Sequence, residues 1–266
     1  MRDFVHNNDF EIIAHGGFGK IYTVTETESG KRYAVKEIEN IESARLEIRA
    51  FSKMEPRHQN VVVSYGYSED QHLILLELSI GDLSKVYKIN STPEMSRYKN
   101  IKRHLQEVLC ALNYLHNHCH LAHNDLKLNN VLLFPCGTAK LCDFGLSSEI
   151  SIDESGKELP GIGPYGCNEY MPPECYEGNL YLQTKRDMFS AGVLLCHMLF
   201  KEVPWSAAHE ESYRYKQFVE QGSSVLPWSS LDAKTYTLVK RMCNPIVVDR
   251  PNFVEASFML LLANIM

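Results

Sequence analysis

The chain has no Cys-x-x-Cys pair, although it holds eight cysteines, at positions 110, 119, 136, 142, 167, 175, 196 and 243. Zinc ribbons and thioredoxin-like redox motifs need that pairing, so neither is expected. Scattered cysteines point instead to reduced thiols, as in a cytoplasmic or nuclear protein. Long apolar runs are missing too. The greasiest stretch, Ala191 to Phe200, contains His197 and is too short to span a bilayer. The first residues, Met1-Arg2-Asp3-Phe4, open no apolar signal segment. Positive charge is not in excess: 27 Lys and Arg stand against 33 Asp and Glu, a formal net charge of −6. A basic stripe for nucleic acid is therefore not expected, and a mildly acidic chain suits a basic protein partner. No internal repeat or low-complexity tract occurs. Asn90-Ser91-Thr92 matters as a glycosylation acceptor only in a secreted chain and reads as chance.

What is there is an ordinary globular composition, 44% hydrophobic and 23% charged over 266 residues. That length can bury a sizeable core and fits one two-lobed domain over residues 1–266. The first third reads as strands. Residues 9–15 and 19–27 flank a glycine turn, and Arg32–Ile38 follows the turn at Glu28-Ser29-Gly30. Leu46, Ile48, Ala50, Phe51 and Met54 recur at helical spacing, predicting a helix over Ser43–Met54 with Asn40 as its N-cap. Two more strands are predicted, Val61–Tyr67 and His72–Glu77. Beyond Asp82 the pattern turns helical. Ile101, Leu105, Val108, Leu109, Leu112 and Leu115 form a stripe, and Met188–Phe200 is apolar on nearly every face, predicting a central buried helix. A last helix is predicted from Asp249-Arg250-Pro251 to Leu262. The fold class is α+β: a small antiparallel β lobe with one helix (1–79) and a larger, mainly helical lobe (80–266), divided near Leu78–Gly81.

Between the first two strands lies Ala14-His15-Gly16-Gly17-Phe18-Gly19-Lys20-Ile21. Small residues there let backbone N–H groups approach phosphate oxygens. Alone, the loop reads as a glycine-rich hairpin without a ligand. Lys36, in Tyr33-Ala34-Val35-Lys36, lies at a distance from the turn that lets it face bound phosphates; a solvated edge lysine is the plain alternative. Glu47 on the next helix could hold such a lysine, though surface helices are rich in glutamate. The strong pattern is His123-Asn124-Asp125-Leu126-Lys127-Leu128-Asn129-Asn130, followed by Asp143-Phe144-Gly145. Asp125 can accept a hydroxyl proton, and Lys127 can neutralise a phosphoryl group in transfer. Asn130 and Asp143 offer oxygens to a hard cation such as magnesium. A polar loop and a turn without chemistry explain both motifs together poorly.

With these motifs the chain resembles the eukaryotic protein kinase family, from about Phe10 to Leu262. The resemblance implies ATP and Mg2+ as cofactors and a protein serine or threonine as acceptor. It implies that Lys36, paired with Glu47, holds the α- and β-phosphates. Asp125 is then the base, Lys127 its catalytic companion, and Asn130 and Asp143 the magnesium ligands. The cofactor pocket takes in Ala14, His15, Gly16, Gly17, Phe18 and Gly19 over the phosphates. Ile21, Ala34 and Leu132 enclose adenine, the backbone of Glu77–Ser79 meets its edge, Leu76 guards the space behind, and Asp82 completes the set. Met171-Pro172-Pro173-Glu174 stands where the family has Ala-Pro-Glu, which implies an ion pair of Glu174 with Arg250. Asp187 is implied to hold the catalytic-loop backbone, and Phe51, Phe144 and His123 to stack in one apolar spine. The lysine two places after Asp125 is the serine/threonine form. Glu47-Ile48 through His58-Gln59-Asn60-Val61-Val62, with Val203-Pro204-Trp205, looks most like the checkpoint and calmodulin-dependent branch.

Several positions depart from the family pattern. Ala14 replaces the first loop glycine. Lys36 and Glu47 are separated by fewer residues than usual, so their helix must start early or tilt. The arginine that usually precedes the catalytic aspartate, and binds an activation-loop phosphate, is Asn124. Activity is therefore expected not to require activation-loop phosphorylation, with Glu149, Asp153, Glu154 and Glu158 as substitute charges. Cys167 replaces a threonine, and a thiol is the poorer hydrogen-bonding group. Two acidic positions that read an arginine upstream of the target are Asp82 and, here, the neutral Asn129. Cys142 reads as a small buried residue at the back of the pocket. His116, His118, Cys119, His120 and His123 resemble a metal cluster, but the likeness spreads them over a helix end and the catalytic loop. The rival readings are a pseudokinase scaffold, a small-molecule kinase, and a dual-specificity or tyrosine-directed kinase. A small-molecule kinase would lack the Asp143–Glu174 segment and Asp187. Expected partners are a protein substrate and no nucleic acid or membrane, with room for a regulatory domain or subunit outside this chain.

Overall fold

The computed structural model describes residues 11–16, 19–70, 72–88, 90, 92–97, 99–163, 166–178 and 180–265. Its first sheet comprises β1 (Glu11–Gly16), β2 (Gly19–Thr25), β3 (Arg32–Glu37), β4 (Ser64–Ser68) and β5 (Leu73–Glu77), in the order β1-β2-β3-β5-β4. All its pairings are antiparallel. Gly19 opens β2 at φ +129, and a Cβ there would sit 1.9 Å from the Glu37 carbonyl oxygen. No other residue fits at that turn. Helix α1 (Ile41–Ser52) follows β3. It starts two residues before the predicted Ser43, because the Asn40 side chain accepts the Ser43 N–H at 2.9 Å and caps it.

The predicted strand over Val61–Tyr67 is shorter than its apolar run. Pairing with β5 begins at Ser64. Val61 and Val62 are buried by the second lobe: Val62 N–H donates to Leu141 O, and Leu141 N–H to Asn60 O, both at 2.9 Å. Their hydrophobicity reports contact between lobes, not membership of the sheet.

The second lobe opens with β6 (Gly81–Asp82), followed by α2 (Leu83–Tyr87), α3 (Pro93–Ser96) and α4 (Ile101–Asn117). Then β7 (Leu121–Ala122) pairs with β10 (Ser148–Glu149), while β8 (Val131–Leu133) lies between β6 and β9 (Ala139–Leu141). Helices α5 (Gln183–Phe200), α6 (Tyr213–Glu220), α7 (Ala233–Met242) and α8 (Phe253–Leu262) complete the lobe. The stripe on α4 is buried as its spacing predicts. Helix α5 is the central helix, but it begins at Gln183, earlier than the apolar stretch. Gln183, Arg186 and Asp187 in its first turns are buried by polar partners, not by hydrophobicity. Helix α8 begins at Phe253, after the predicted start, where Asn252 and Glu255 form a reciprocal capping box.

Glu174 and Arg250 tie the two ends of this lobe together. Arg250 Nη1 and Nη2 donate to the two carboxylate oxygens at 2.5 and 2.7 Å, and Arg250 Nε donates to Asn244 O at 2.7 Å. The pair is bidentate and buried. Removing one partner strands the other charge. Glu174→Ala is therefore expected to destabilise the fold by about 3–5 kcal/mol, measured by denaturant unfolding.

Candidate active site

Strand β3 places Lys36 beside Ile21 of β2 and Ile74 of β5. The early start of α1 accommodates the short interval to Glu47. Lys36 Nζ lies 2.6 Å from Glu47 Oε2 and 2.8 Å from Asp143 Oδ1. Lys36 and Glu47 are both buried. Burial alone would lower the Lys36 ammonium, but Glu47 and then Asp143 outweigh it and hold it above its ordinary range. Burial pushes Glu47 up against the pull of Lys36. For Asp143, burial is outweighed by Lys36, which holds the carboxyl low. The three groups form one ion-paired chain from α1 to the second lobe.

On the loop after β7, Asp125 Oδ2 accepts from Lys127 Nζ at 2.6 Å and from Asn130 Nδ2 at 2.9 Å. Asn130 Nδ2 also reaches Asp125 O at 2.8 Å. The loop is held from α5: the fully buried Asp187 accepts the His123 N–H at 2.8 Å and the Asn124 N–H at 2.9 Å. His116 Nε2 bonds Asp187 Oδ2 at 2.7 Å. Burial opposes ionisation of Asp187, yet the His116 bond holds its carboxyl below the usual range. Asn124 and Asp143 both take left-handed backbone, φ +65 and φ +66. Cys142 N–H donates to Asn130 O at 3.0 Å, drawing the turn at Asp143 against the loop. Burial pushes the Cys142 thiol up, as suits a small packed residue. Rings of Phe51 and Phe144 meet edge-on at 5.3 Å, and those of Phe144 and His123 lie 5.4 Å apart.

Magnesium fits this donor set. Asn130 is anchored through its nitrogen, which leaves Oδ1 as its coordinating atom, and Asp143 keeps Oδ2 beside the oxygen held by Lys36. Two protein oxygens completed by phosphates and water suit this small, hard cation. The histidines do not converge. His116 turns to Asp187, His118 Nε2 to Glu55 O at 2.9 Å, and His123 Nε2 to Cys142 O at 3.0 Å. Among the described residues, no group of three or more His, Cys, Asp or Glu could hold a metal ion.

The cleft above is built from sheet register. Ala34 pairs with Leu76, Ala14 with Ile21, and Leu132 with Asp82. Ala34 and Leu76 are buried; Ile21, Leu132 and Ser79 are half-buried, and Ala14 and His15 exposed. Gly16 and Gly19 are paired across the turn. Gly17 and Phe18 lie outside the described residues. The Glu77 carboxylate accepts from Val63 N–H at 2.8 Å and from Lys140 Nζ at 2.7 Å. Asp82 caps α2, accepting from Ser84 N–H at 2.9 Å.

The segment from Asp143 to Glu174 carries contacts that the sequence did not announce. Glu149 Oε1 meets Arg49 Nη2, on α1, at 2.6 Å and Lys53 Nζ, at the C-cap of α1, at 2.7 Å. The Lys53 bond, with Arg49, lowers the Glu149 carboxyl. Asn124 Nδ2 donates to Leu146 O at 3.1 Å and to Ser148 Oγ at 2.7 Å, and Ser148 Oγ bonds Gln183 Oε1. Glu158 accepts the Thr184 N–H at 3.1 Å in the first turn of α5. Asp153 closes a local turn on Ser155 and Lys157, and Glu154 is exposed. Cys167 Sγ donates to Glu169 Oε2 at 2.9 Å; burial and that carboxylate push the thiol up to about 12. Ser148 and Gln183 gave no signal of their own, since single polar residues show no periodicity.

The sequence matches the protein kinase domain over residues 8–259. It is 30% identical over 196 residues to Serine/threonine-protein kinase CHK1 of Saccharomyces cerevisiae, covering 71% of this chain and 36% of that protein. Over 191 residues it is 31% identical to the Probable serine/threonine-protein kinase CHK1 homolog of Encephalitozoon cuniculi, covering 70% and 44%. Aurora kinase of Schizosaccharomyces pombe matches at 28% over 244 residues, covering 88% and 66%. The chain thus spans 36% to 66% of the length of these three relatives. The likeness includes the checkpoint branch and is not confined to it. Matched along nearly its whole length and folded into two lobes around one cleft, the chain belongs to the protein kinase domain family.

Proposed function

We propose that the chain transfers the γ-phosphate of ATP to serine or threonine of a protein substrate, with magnesium. We propose further that it does so without a phosphate on the Asp143–Glu174 segment. The observation that carries this reading is the joined chain Glu47–Lys36–Asp143, formed while Glu149 already bridges that segment to α1. Lys36, held protonated, is the cation for the α- and β-phosphates. Asp143 and Asn130 hold magnesium, which when bound supplies charge neutralisation at the phosphates. Lys127 neutralises the group in transfer. Asp125 orients the acceptor hydroxyl and takes its proton. With Oδ2 tied to Lys127 and Asn130, its other oxygen is the natural acceptor. Ala14 to Gly19 cover the phosphates. Ile21, Ala34, Leu76, Leu132, Asp82 and the backbone of Glu77–Ser79 form the nucleoside end.

Lys127, two places after Asp125, and the names of the relatives support the serine/threonine assignment. Residue types suited to transfer at every catalytic position speak against a pseudokinase. One observation favours a dual-specificity reading: Cys167 bonds Glu169 instead of offering a hydroxyl toward Asp125. Residues 1–266 are proposed to work as one kinase domain, with lobes 1–79 and 80–266. In support, Ile80 N–H donates to Leu133 O at 2.9 Å, so the second lobe's pairing begins there. All eight cysteines are free thiols, and among the described residues no helix is long and apolar enough to cross a membrane. The free thiols support a cytoplasmic or nuclear location. A regulatory domain or subunit outside this chain is compatible with this reading.

Transfer from labelled ATP onto a protein mixture tests the function. Asp125→Ala should lower the rate by about 10²–10⁴-fold, and phosphoamino-acid analysis should find phosphoserine or phosphothreonine. Label on tyrosine would move the assignment to the dual-specificity reading. Enzyme stripped by a phosphatase should keep its activity. Loss of most activity would overturn the phosphate-independent part.

A further inference from the structure

Helix α5 grips residue 124 at both ends. Asp187 accepts its N–H at 2.9 Å, and the preceding residue, Arg186, donates through Nη2 to its carbonyl oxygen at 2.8 Å. That carbonyl belongs to the peptide whose nitrogen is Asp125's own. The second Arg186 bond runs from Nη1 to Tyr181 Oη at 2.9 Å. Both partners are neutral, and Arg186 is only 1% exposed. Among the described residues it pairs with no carboxylate. A buried guanidinium without a counter-charge is costly, so packing alone does not account for it.

The neighbourhood makes room for this cation. A Cβ on Gly166 would come within 2.6 Å of Asn124 O and 3.0 Å of Arg186 Nη2. On Gly163 it would come within 2.7 Å of Arg186 Nη1 and 2.8 Å of Tyr181 Oη. Gly163 has no positive φ, so backbone freedom is not what that position requires. Any side chain at either one would collide with the guanidinium or with the carbonyl it binds.

We propose that Arg186 is a positioning residue for Asp125. It supplies from α5 the guanidinium that the catalytic loop lacks at Asn124. By holding the Asn124 carbonyl it fixes the plane of the Asn124–Asp125 peptide, and so the aim of the Asp125 carboxylate. Asparagine tolerates the left-handed backbone of this position better than most residues do, and α5 holds that conformation from both ends of the residue. Relocation has a second effect. Held by a carbonyl and a phenol, the cation pairs with no carboxylate of the activation segment among the described residues. This proposal rests on the phosphoryl-transfer reading of Asp125.

The test compares the full chain with Arg186→Met, Arg186→Lys, Arg186→Val and the double variant Asn124→Arg/Arg186→Val. Kinetics use Mg-ATP and dephosphorylated casein; hydrogen exchange follows the amides of residues 123–126. Arg186→Met should lower kcat about tenfold or more while KM for ATP stays within about twofold, as expected for a misaimed catalytic group. Exchange at 123–126 should quicken while the amides of α5 hold. The double variant should recover most of the kcat lost by Arg186→Val, because the guanidinium returns from the loop side. Unchanged kcat in Arg186→Met, or a double variant no better than Arg186→Val, overturns the proposal. Wild type that labels neither casein nor a protein mixture would sink the transfer reading instead. Exchange then still decides, since unchanged exchange at 123–126 overturns the role of Arg186. Should Arg186→Met not fold, Arg186→Lys, which keeps the charge but reaches one acceptor, carries both readouts.

Discussion

A single carboxylate, fully out of water, governs the second lobe. Asp187 accepts two consecutive backbone N–H groups of the catalytic loop and the imidazole of His116. An ionised group in that position is tolerated only with its lone pairs filled in good geometry. The loop therefore has one permitted place relative to α5, and α5 is itself fixed by the core around Leu194 and Leu195. Asp125, Lys127 and Asn130 inherit their positions from that constraint. The Glu174–Arg250 pair repeats the device at the far end of the activation segment.

The first lobe is joined to this frame by charge and by rings. Lys36 lies between one carboxylate on α1 and one on the turn after β9, and so ties α1 to the second lobe. The stack of Phe51, Phe144 and His123 adds an apolar contact along the same line. Glu149 reaches the same helix from another direction, through exposed pairs that are individually weak. Their value lies in where they hold the segment more than in stability.

Much of this was legible in the sequence, and the exceptions have physical reasons. Alternation and turn residues located the first sheet, and helical spacing located α1 and α4. The motifs at Asp125 and Asp143 were legible because their chemistry needs particular residue types in a short span. The start of α5 was not: Gln183, Arg186 and Asp187 are buried by hydrogen bonds, and hydrophobic patterning is blind to such burial. Val61 and Val62 misled in the opposite sense, as apolar residues buried between lobes and outside the sheet. The partners of Asn124 and Glu149 lie far away in sequence, and no local pattern links them.

The hold on the activation segment at Asn124, Ser148 and Gln183 is made of amides and a hydroxyl. None of these groups titrates near neutral pH, and no phosphatase can remove them. A kinase can be switched within seconds only where some part of its active form is reversible. Under the proposed phosphate-independent reading, the tempo of control would shift to slower processes: how much protein is made, how long it persists, and what it is allowed to meet.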